Sequence, residues 1–444
     1  MRAFACSFLL GVFATTAVAS ATDYCVVVRA GTYRQPAWQA VADALIKKHD
    51  GKLLQYAKDP QEVLGALRDL HPRYTCFVTP HPQAGRQLVA DIHQLTRALD
   101  DDPYTDTLWA ILTGYDASNA LAIAQYNQPL VVKKVASGTE VALEMCEQGL
   151  WYDELVKHKL VRKEKGQAAK LLEGPGDTTA ALVETLNRYQ PDLFVTSGHA
   201  TERNWQIGFR YRNGYFKSAA GQMFGEDTQK QRIDVESDNP KVYLPIGNCL
   251  MGHIDGPDAM ALAWMNDVGV KQMLGYTVPT WFGYGGWGVL DYFVEQPGRY
   301  TLTEAFFANH HALIHALENN PRDRRGLAFD RDVVAFYGDP KWSARLATGN
   351  RAYEQTLKID GDEYTFHVEP RRGSDSFKPV NTNGAQRGWR PIVQFLPHRV
   401  TQVRLTQGQE LHAVVTDDFI LIPNPRECDP QRDYTIKFTA QLAP

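Results

Sequence analysis

Short β-branched runs alternate with helix-period segments along the first half of the chain. Residues 25–29 read as a strand, 38–46 as a helix, 52–56 as a strand and 60–70 as a helix. The unit repeats with a strand at 74–79, a helix at 85–99 that carries Leu88, Val89, Ile92 and Leu95, a strand at 109–113 and a helix at 117–126. This order predicts a parallel sheet with helices on both faces. A second α/β unit starts near Leu130. Its strands are expected at 130–135, 193–197, 242–246 and 273–278, and its helices at 141–160, 178–189, 258–268, 287–293 and 303–317. The runs at 193–197 and 242–246 are of the apolar kind that is buried on both faces of a sheet. Helical patterning fades after about Thr348. Short β-rich segments at 364–368, 392–395, 413–415, 419–422 and 434–438, parted by turn residues, predict a small all-β sandwich.

The first residues set the compartment. Arg2, an apolar run over 4–12 and the small residues Ala19-Ser20-Ala21 predict a secretory signal cleaved after Ala21. The run is too short for a membrane span, which needs about 20 residues, and no second long run follows. A secreted or periplasmic, soluble protein is expected, and a monomer. At about 150 residues per domain, the 444-residue chain suggests two or three domains. The patterning divides it into α/β units at 22–128 and 129–347 and a sandwich at 348–444. A formal charge of −4 gives no basic excess, so nucleic acid is excluded as an expected partner.

Six cysteines occur, and Cys6 lies in the predicted signal. The remaining five are an odd number, so at least one thiol is unpaired in an oxidising compartment. The acidic run Asp100-Asp101-Asp102-Pro103 could bind Ca²⁺, although a solvated loop is the preferred reading; no cofactor is required.

Two strand ends carry chemistry. The run 193–197 leads into Gly198, His199 and Ala200, and the run 242–246 leads into Gly247, Asn248 and Cys249. Ligands bind outside the carboxyl ends of strands in an open parallel sheet, so His199 and Cys249 meet at one edge if their strands are neighbours. A thiol attacks an amide carbonyl as thiolate, and an imidazole can take its proton and pass one to the leaving amine. The oxyanion needs fixed N–H donors, which the backbone of Cys249 and a residue beside His199 could supply. Gly198 and Ala200 are small enough to let a substrate backbone approach. The spacing by itself does not separate this reading from an inert core cysteine and a hydrogen-bonded histidine.

At these residues the chain resembles the gingipain family of cysteine peptidases, which share the caspase-like fold. Ser197-Gly198-His199-Ala200-Thr201-Glu202-Arg203-Asn204-Trp205 is similar to the family's His segment, and Gly247-Asn248-Cys249-Leu250-Met251-Gly252 to its Cys segment. Tyr276-Thr277-Val278-Pro279-Thr280-Trp281 resembles the segment whose Trp lines the primary specificity pocket. Thr301-Leu302-Thr303-Glu304-Ala305-Phe306 and Tyr337-Gly338-Asp339-Pro340 follow in the same order. The resemblance implies a three-layer α/β/α body of two subdomains with an immunoglobulin-like sandwich behind it. It also implies an exported endopeptidase acting on protein or peptide substrates, with Cys249 as nucleophile, His199 as general base and acid, and Glu140 as the acid that orients the histidine. Trp281 would then wall the S1 pocket. Asp153 lies near the position of the S1 acid, although a solvent-facing helical Asp is the preferred reading, so basic specificity is not assigned. Residues 283–288, with Tyr284 and Trp287, are read as a flexible Gly-rich loop over the cleft. If Cys249 is free, Cys25, Cys76, Cys146 and Cys428 allow three disulfide pairings.

The chain departs from the family pattern at Ala200, where the family usually has Gly. No long propeptide is expected ahead of Tyr24, and no sorting domain after the sandwich. An inactive binding protein on the same fold and a transpeptidase remain the alternatives. His253 is a weaker partner for Cys249. His311 and His315 share the i, i+4 spacing of zinc ligands but lack the accompanying Glu, and read as a polar helix face.

Overall fold

A computed structural model describes residues 23–443; the predicted signal lies outside them. Twelve strands form one sheet: β1 (Tyr24–Arg29), β2 (Lys52–Tyr56), β3 (Tyr74–Val78), β4 (Leu108–Leu112), β5 (Lys134–Ser137), β6 (Gln148–Tyr152), β7 (Lys159–Lys163), β8 (Lys170–Glu173), β9 (Leu193–Thr196), β10 (Lys241–Pro245), β11 (Val270–Tyr276) and β12 (Val334–Gly338). Their spatial order is β2-β1-β3-β4-β12-β11-β10-β9-β5-β6-β7-β8. The first five in this order are parallel to their neighbours. So are the next five. The antiparallel pair β11–β12 joins the two sets, so their carboxyl ends open on opposite edges of the sheet.

Asp339, directly after β12, ties the first set together. It accepts from the Tyr24 hydroxyl at 2.9 Å and pairs with Lys48 at 2.9 Å and His49 at 2.7 Å, at the end of the helix Pro36–His49. Burial alone would raise its carboxyl, but the His49 hydrogen bond and the His49 and Lys48 charges outweigh that and hold it at about 2.

The tail is a sandwich of a four-stranded and a three-stranded antiparallel sheet. Alternation along the strands Ile392–Phe395 and Phe419–Ile422 buries both faces of the smaller sheet. Ile392, Ile420 and Ile422 enter the sandwich core, whereas Val393, Phe395, Phe419 and Leu421 join the core of the α/β body.

Several expectations are corrected. Residues 141–160 are not helical: a 3-10 turn at Leu143–Met145 precedes β6, and β7 follows. Gly149 permits this, because a Cβ there would stand 2.7 Å from the Val135 carbonyl oxygen on the paired strand, so sheet pairing overrides local helix propensity. Residues 283–288 are not a loop over a cleft but the start of the buried helix Tyr284–Phe293. Its glycines serve close packing: a Cβ on Gly286 would lie 2.1 Å from the Ile246 carbonyl oxygen. His311 is fully buried and stacks on Phe419 at 4.2 Å, so it belongs to the junction with the sandwich rather than to a polar face. The acidic run lies partly buried at the same junction, not in a solvated loop. All five described cysteines are free thiols. Cys25 pairs with Thr75 and Cys76 with Val26 in the β1–β3 register, so the two side chains point to opposite faces and cannot bridge.

Candidate active site

β9 and β10 are adjacent and parallel, with Thr196 opposite Pro245. Each strand ends a few residues before its candidate side chain, so His199 and Cys249 stand on loops at the same carboxyl edge. Asn248 links the loops. Its side-chain Oδ1 accepts from the Thr196 hydroxyl at 2.6 Å, and its side-chain Nδ2 donates to the Gly198 carbonyl at 3.0 Å. Arg203 pairs with Asp255 at 2.6 Å, and the Met260 N–H donates to the Glu202 carbonyl at 2.7 Å, so the segments that follow are tied as well.

The His199 loop depends on its neighbours. Gly198 has φ +92°, a conformation that side chains rarely adopt. The connection from β9 to β10 holds a four-stranded antiparallel sheet that begins at Asn204–Gln206. Trp205 of that strand is buried and donates its indole N–H to the Ser197 carbonyl at 2.7 Å. The His199 ring is exposed and stacks on Phe209 at 4.7 Å.

The Cys249 loop is packed tightly from below. A Cβ on Gly247 would meet Trp287 at 2.7 Å, and one on Gly252 would meet the Gly275 carbonyl oxygen at 2.1 Å. Leu250, directly after Cys249, has φ +58°, a strained value for a leucine. The Cys249 thiol donates to the Thr280 carbonyl at 3.6 Å. Among the described residues, the backbone N–H groups of Ala200 and Cys249 have no acceptor within the chain. Cys249 is also the one described cysteine that is not buried. Burial pushes the Cys25 and Cys146 thiols up to about 12 and raises that of Cys76 well above its ordinary value.

Trp281 follows Thr280, the partner of Cys249, and is 56% exposed, and Phe209, stacked on His199, is 44% exposed. The other expected residues have partners of their own. Glu140 accepts from the Asn381 amide at 3.1 Å and lines a groove of about 510 Å³ with Trp151 and Val161. Asp153 is buried and not helical: it caps the turn after β6 by accepting from Leu155 and Val156 N–H, and it pairs with Lys159 at 2.8 Å. Tyr284 is buried beneath the Arg390 guanidinium, 3.7 Å from the ring centre, and so does not line an open cleft. No helix starts between Cys249 and Met260, so no helical turn brings His253, the weaker partner, onto Cys249.

Sequence reasoning missed Glu154 and Phe209. The buried Glu154 carboxylate accepts from the Ser197 and Thr139 hydroxyls, and its carbonyl accepts from the Phe209 N–H at 2.6 Å. Burial raises its carboxyl, although the Ser197 and Thr139 hydrogen bonds oppose the shift. The only sequence signal was its place beside Asp153.

No protein-family model matches the chain, and no curated protein does. Among solved structures, the crystal structure of the Arg-specific cysteine proteinase gingipain R aligns over 95% of this chain and 96% of its own, at 10% identity and a TM-score of 0.49. The complex of Porphyromonas gingivalis RgpB pro- and mature domains aligns over 94% and 99%, at 10% identity and a TM-score of 0.49. No helix among the described residues is long and apolar enough to cross a membrane.

Proposed function

We propose that the protein is a cysteine endopeptidase in which Cys249 attacks the peptide carbonyl and His199 manages the proton. The observation that carries this reading is the pairing of an accessible thiol with an exposed imidazole on loops tied by Asn248 at the end of neighbouring parallel strands. His199 takes the thiol proton, sulfur bonds to the carbonyl carbon, and the amine leaves with a proton from His199. Water then cleaves the thioester. The N–H groups of Cys249 and Ala200 serve as oxyanion donors, because neither is committed to an acceptor in the chain. Trp281 and Phe209 offer apolar walls for substrate side chains.

The test is labelling with an electrophilic peptide probe together with cleavage of a diverse peptide library. We expect a single labelled site at Cys249. Cys249→Ala should lower turnover by at least about 10³-fold, and His199→Ala by about 10²–10⁴-fold. Intact protein that is neither labelled nor active would favour the binding-protein alternative. Product ligation in the presence of an added amine would separate transfer from hydrolysis.

A further inference from the structure

The sandwich reaches the candidate site through one irregular segment. Residues 380–390, in the connection between the strands Glu363–Pro370 and Ile392–Phe395, lie along the buried helix Tyr284–Phe293. Both ends of the segment are pinned. The Val380 and Asn381 N–H groups donate to the Glu295 carboxylate at 3.1 and 3.2 Å. Arg387, whose side chain is 1% exposed, pairs with Asp291 at 2.6 Å and with Glu295 at 2.5 Å, and the Gly388 N–H donates to Asp291 at 2.9 Å. Asp291 stands in the last turn of the helix and Glu295 just beyond it. Desolvation offsets most of the attraction in such a buried ion cluster, so the placement it enforces explains these residues better than added stability does.

Between its pins the segment presses on one side chain. A Cβ on Gly384 would stand 2.4 Å from the Trp287 indole, and a Cβ on Gly283 would meet Ala385 at 2.8 Å. Gln386 and Trp389 are held at φ +56° and +57°, beside Gly384 at +106° and Gly388 at +79°. Residues with side chains keep such conformations only where the surroundings fix them, and they gather at working sites. Trp287 turns its pyrrole edge to the Cys249 loop: a Cβ on Gly247 would lie 2.7 Å from Nε1. The indole is buried between Gly384 of the sandwich and Gly247, two residues before Cys249, and neither contact leaves room for a methyl group.

We propose that the sandwich positions the nucleophile: Arg387 clamps residues 380–390 to the helix, and Gly384 holds Trp287 under Gly247 so that the Cys249 sulfur and N–H keep their places. Arg387 and Trp287 are positioning residues, because they act through Gly247. The inference rests on the reading of Cys249 as nucleophile. Release of the segment frees the loop but leaves the thiol accessible, so the loss falls on the chemical step rather than on substrate binding.

The test is steady-state peptide cleavage by the mature protein and by its Arg387→Lys and Gly384→Ala variants, with accessible thiol counted by iodoacetamide. Arg387→Lys keeps the charge but loses the forked contact to Asp291 and Glu295, and Gly384→Ala drives a methyl group into Trp287. Phe366→Leu, in the sandwich core, is the control for lost stability. We expect kcat to fall about 10–100-fold in both variants with KM within about 2-fold of wild type. Iodoacetamide should still label Cys249 fully, and the control should keep its kcat. Two variants keep the outcome readable if one fails to fold. An unchanged kcat in a folded variant overturns the proposal. So does a rise in KM alone, which makes the segment part of the substrate site, and so does an equal fall in Phe366→Leu, which reduces the effect to stability. Wild type that cleaves no peptide and resists a peptide electrophile overturns the peptidase reading, and this proposal with it.

Discussion

Glu154 shows how much one buried carboxyl can hold in place. It fixes the start of the His199 loop through Ser197 and the start of the Phe209 loop through its carbonyl. Glu154→Ala would leave the Ser197 and Thr139 hydroxyls without their acceptor, at about 1–3 kcal/mol. We expect that loss in urea unfolding, with a fall in turnover at unchanged probe stoichiometry. The sequence placed Glu154 next to Asp153, and both are buried, but their partners separate their roles: Asp153 caps a turn, and Glu154 holds Ser197 and Thr139.

At the scale of elements, the site rests on contacts that only glycine permits. Gly252→Ala puts a Cβ against the Gly275 carbonyl, and we expect a loss of about 1–3 kcal/mol or more, because neither backbone can move freely. Gly65 is the internal control. It lies exposed in the helix Leu64–Leu70 with open space around it, so Gly65→Ala should stabilise by about 0.5–1 kcal/mol in the same denaturant series. These contacts also explain which elements were legible. The strands ending before His199 and Cys249 are apolar runs whose character does not depend on what they pack against, and both appear within a residue or two of the expected place. β6 and β7 were missed because the helix formers just ahead of them, Leu143, Glu144 and Met145, masked Trp151 and Tyr152, which suit a strand; Gly149 and Trp151 pair with β5. The helix Tyr284–Phe293 was misread for the converse reason: three glycines signal a loop locally, yet here they let a buried helix approach Ile246 and Asn309. Phe209 had no signal, since an exposed aromatic in a hairpin region acquires meaning only from the ring it stacks on.

For the whole molecule, stability should depend on pH in two windows. Burial lowers His93 to about 4 and His311 to about 3, and holds His310 well below its ordinary value of 6.5. The unfolded chain therefore takes up protons that the folded chain refuses. Stability should fall as pH drops from about 6.5 towards 4, by about 1.4 kcal/mol per pH unit for each such histidine. Asp339 acts lower down: its carboxyl, held at about 2, contributes stability above about 4 that is lost between there and 2. Calorimetry of wild type and His311→Phe across pH 4–7 checks the first window, and a variant with an unchanged slope would refute it. The double-faced sheet Ile392–Phe395 and Phe419–Ile422 has a related effect. A chain ending at 347 would bare the apolar surface that Val393, Phe395, Phe419 and Leu421 cover, and we expect it to be insoluble on expression.

The free thiols have a practical corollary. With no disulfide among the described residues, and with the buried Cys25, Cys76 and Cys146 sulfurs held protonated, the framework has nothing for a reducing agent to break. Dithiothreitol should leave its melting point unmoved while protecting Cys249 from oxidation. Peroxide, conversely, should silence the protein well before it unfolds it, and added thiol should bring it back as long as oxidation has stopped at the sulfenic stage.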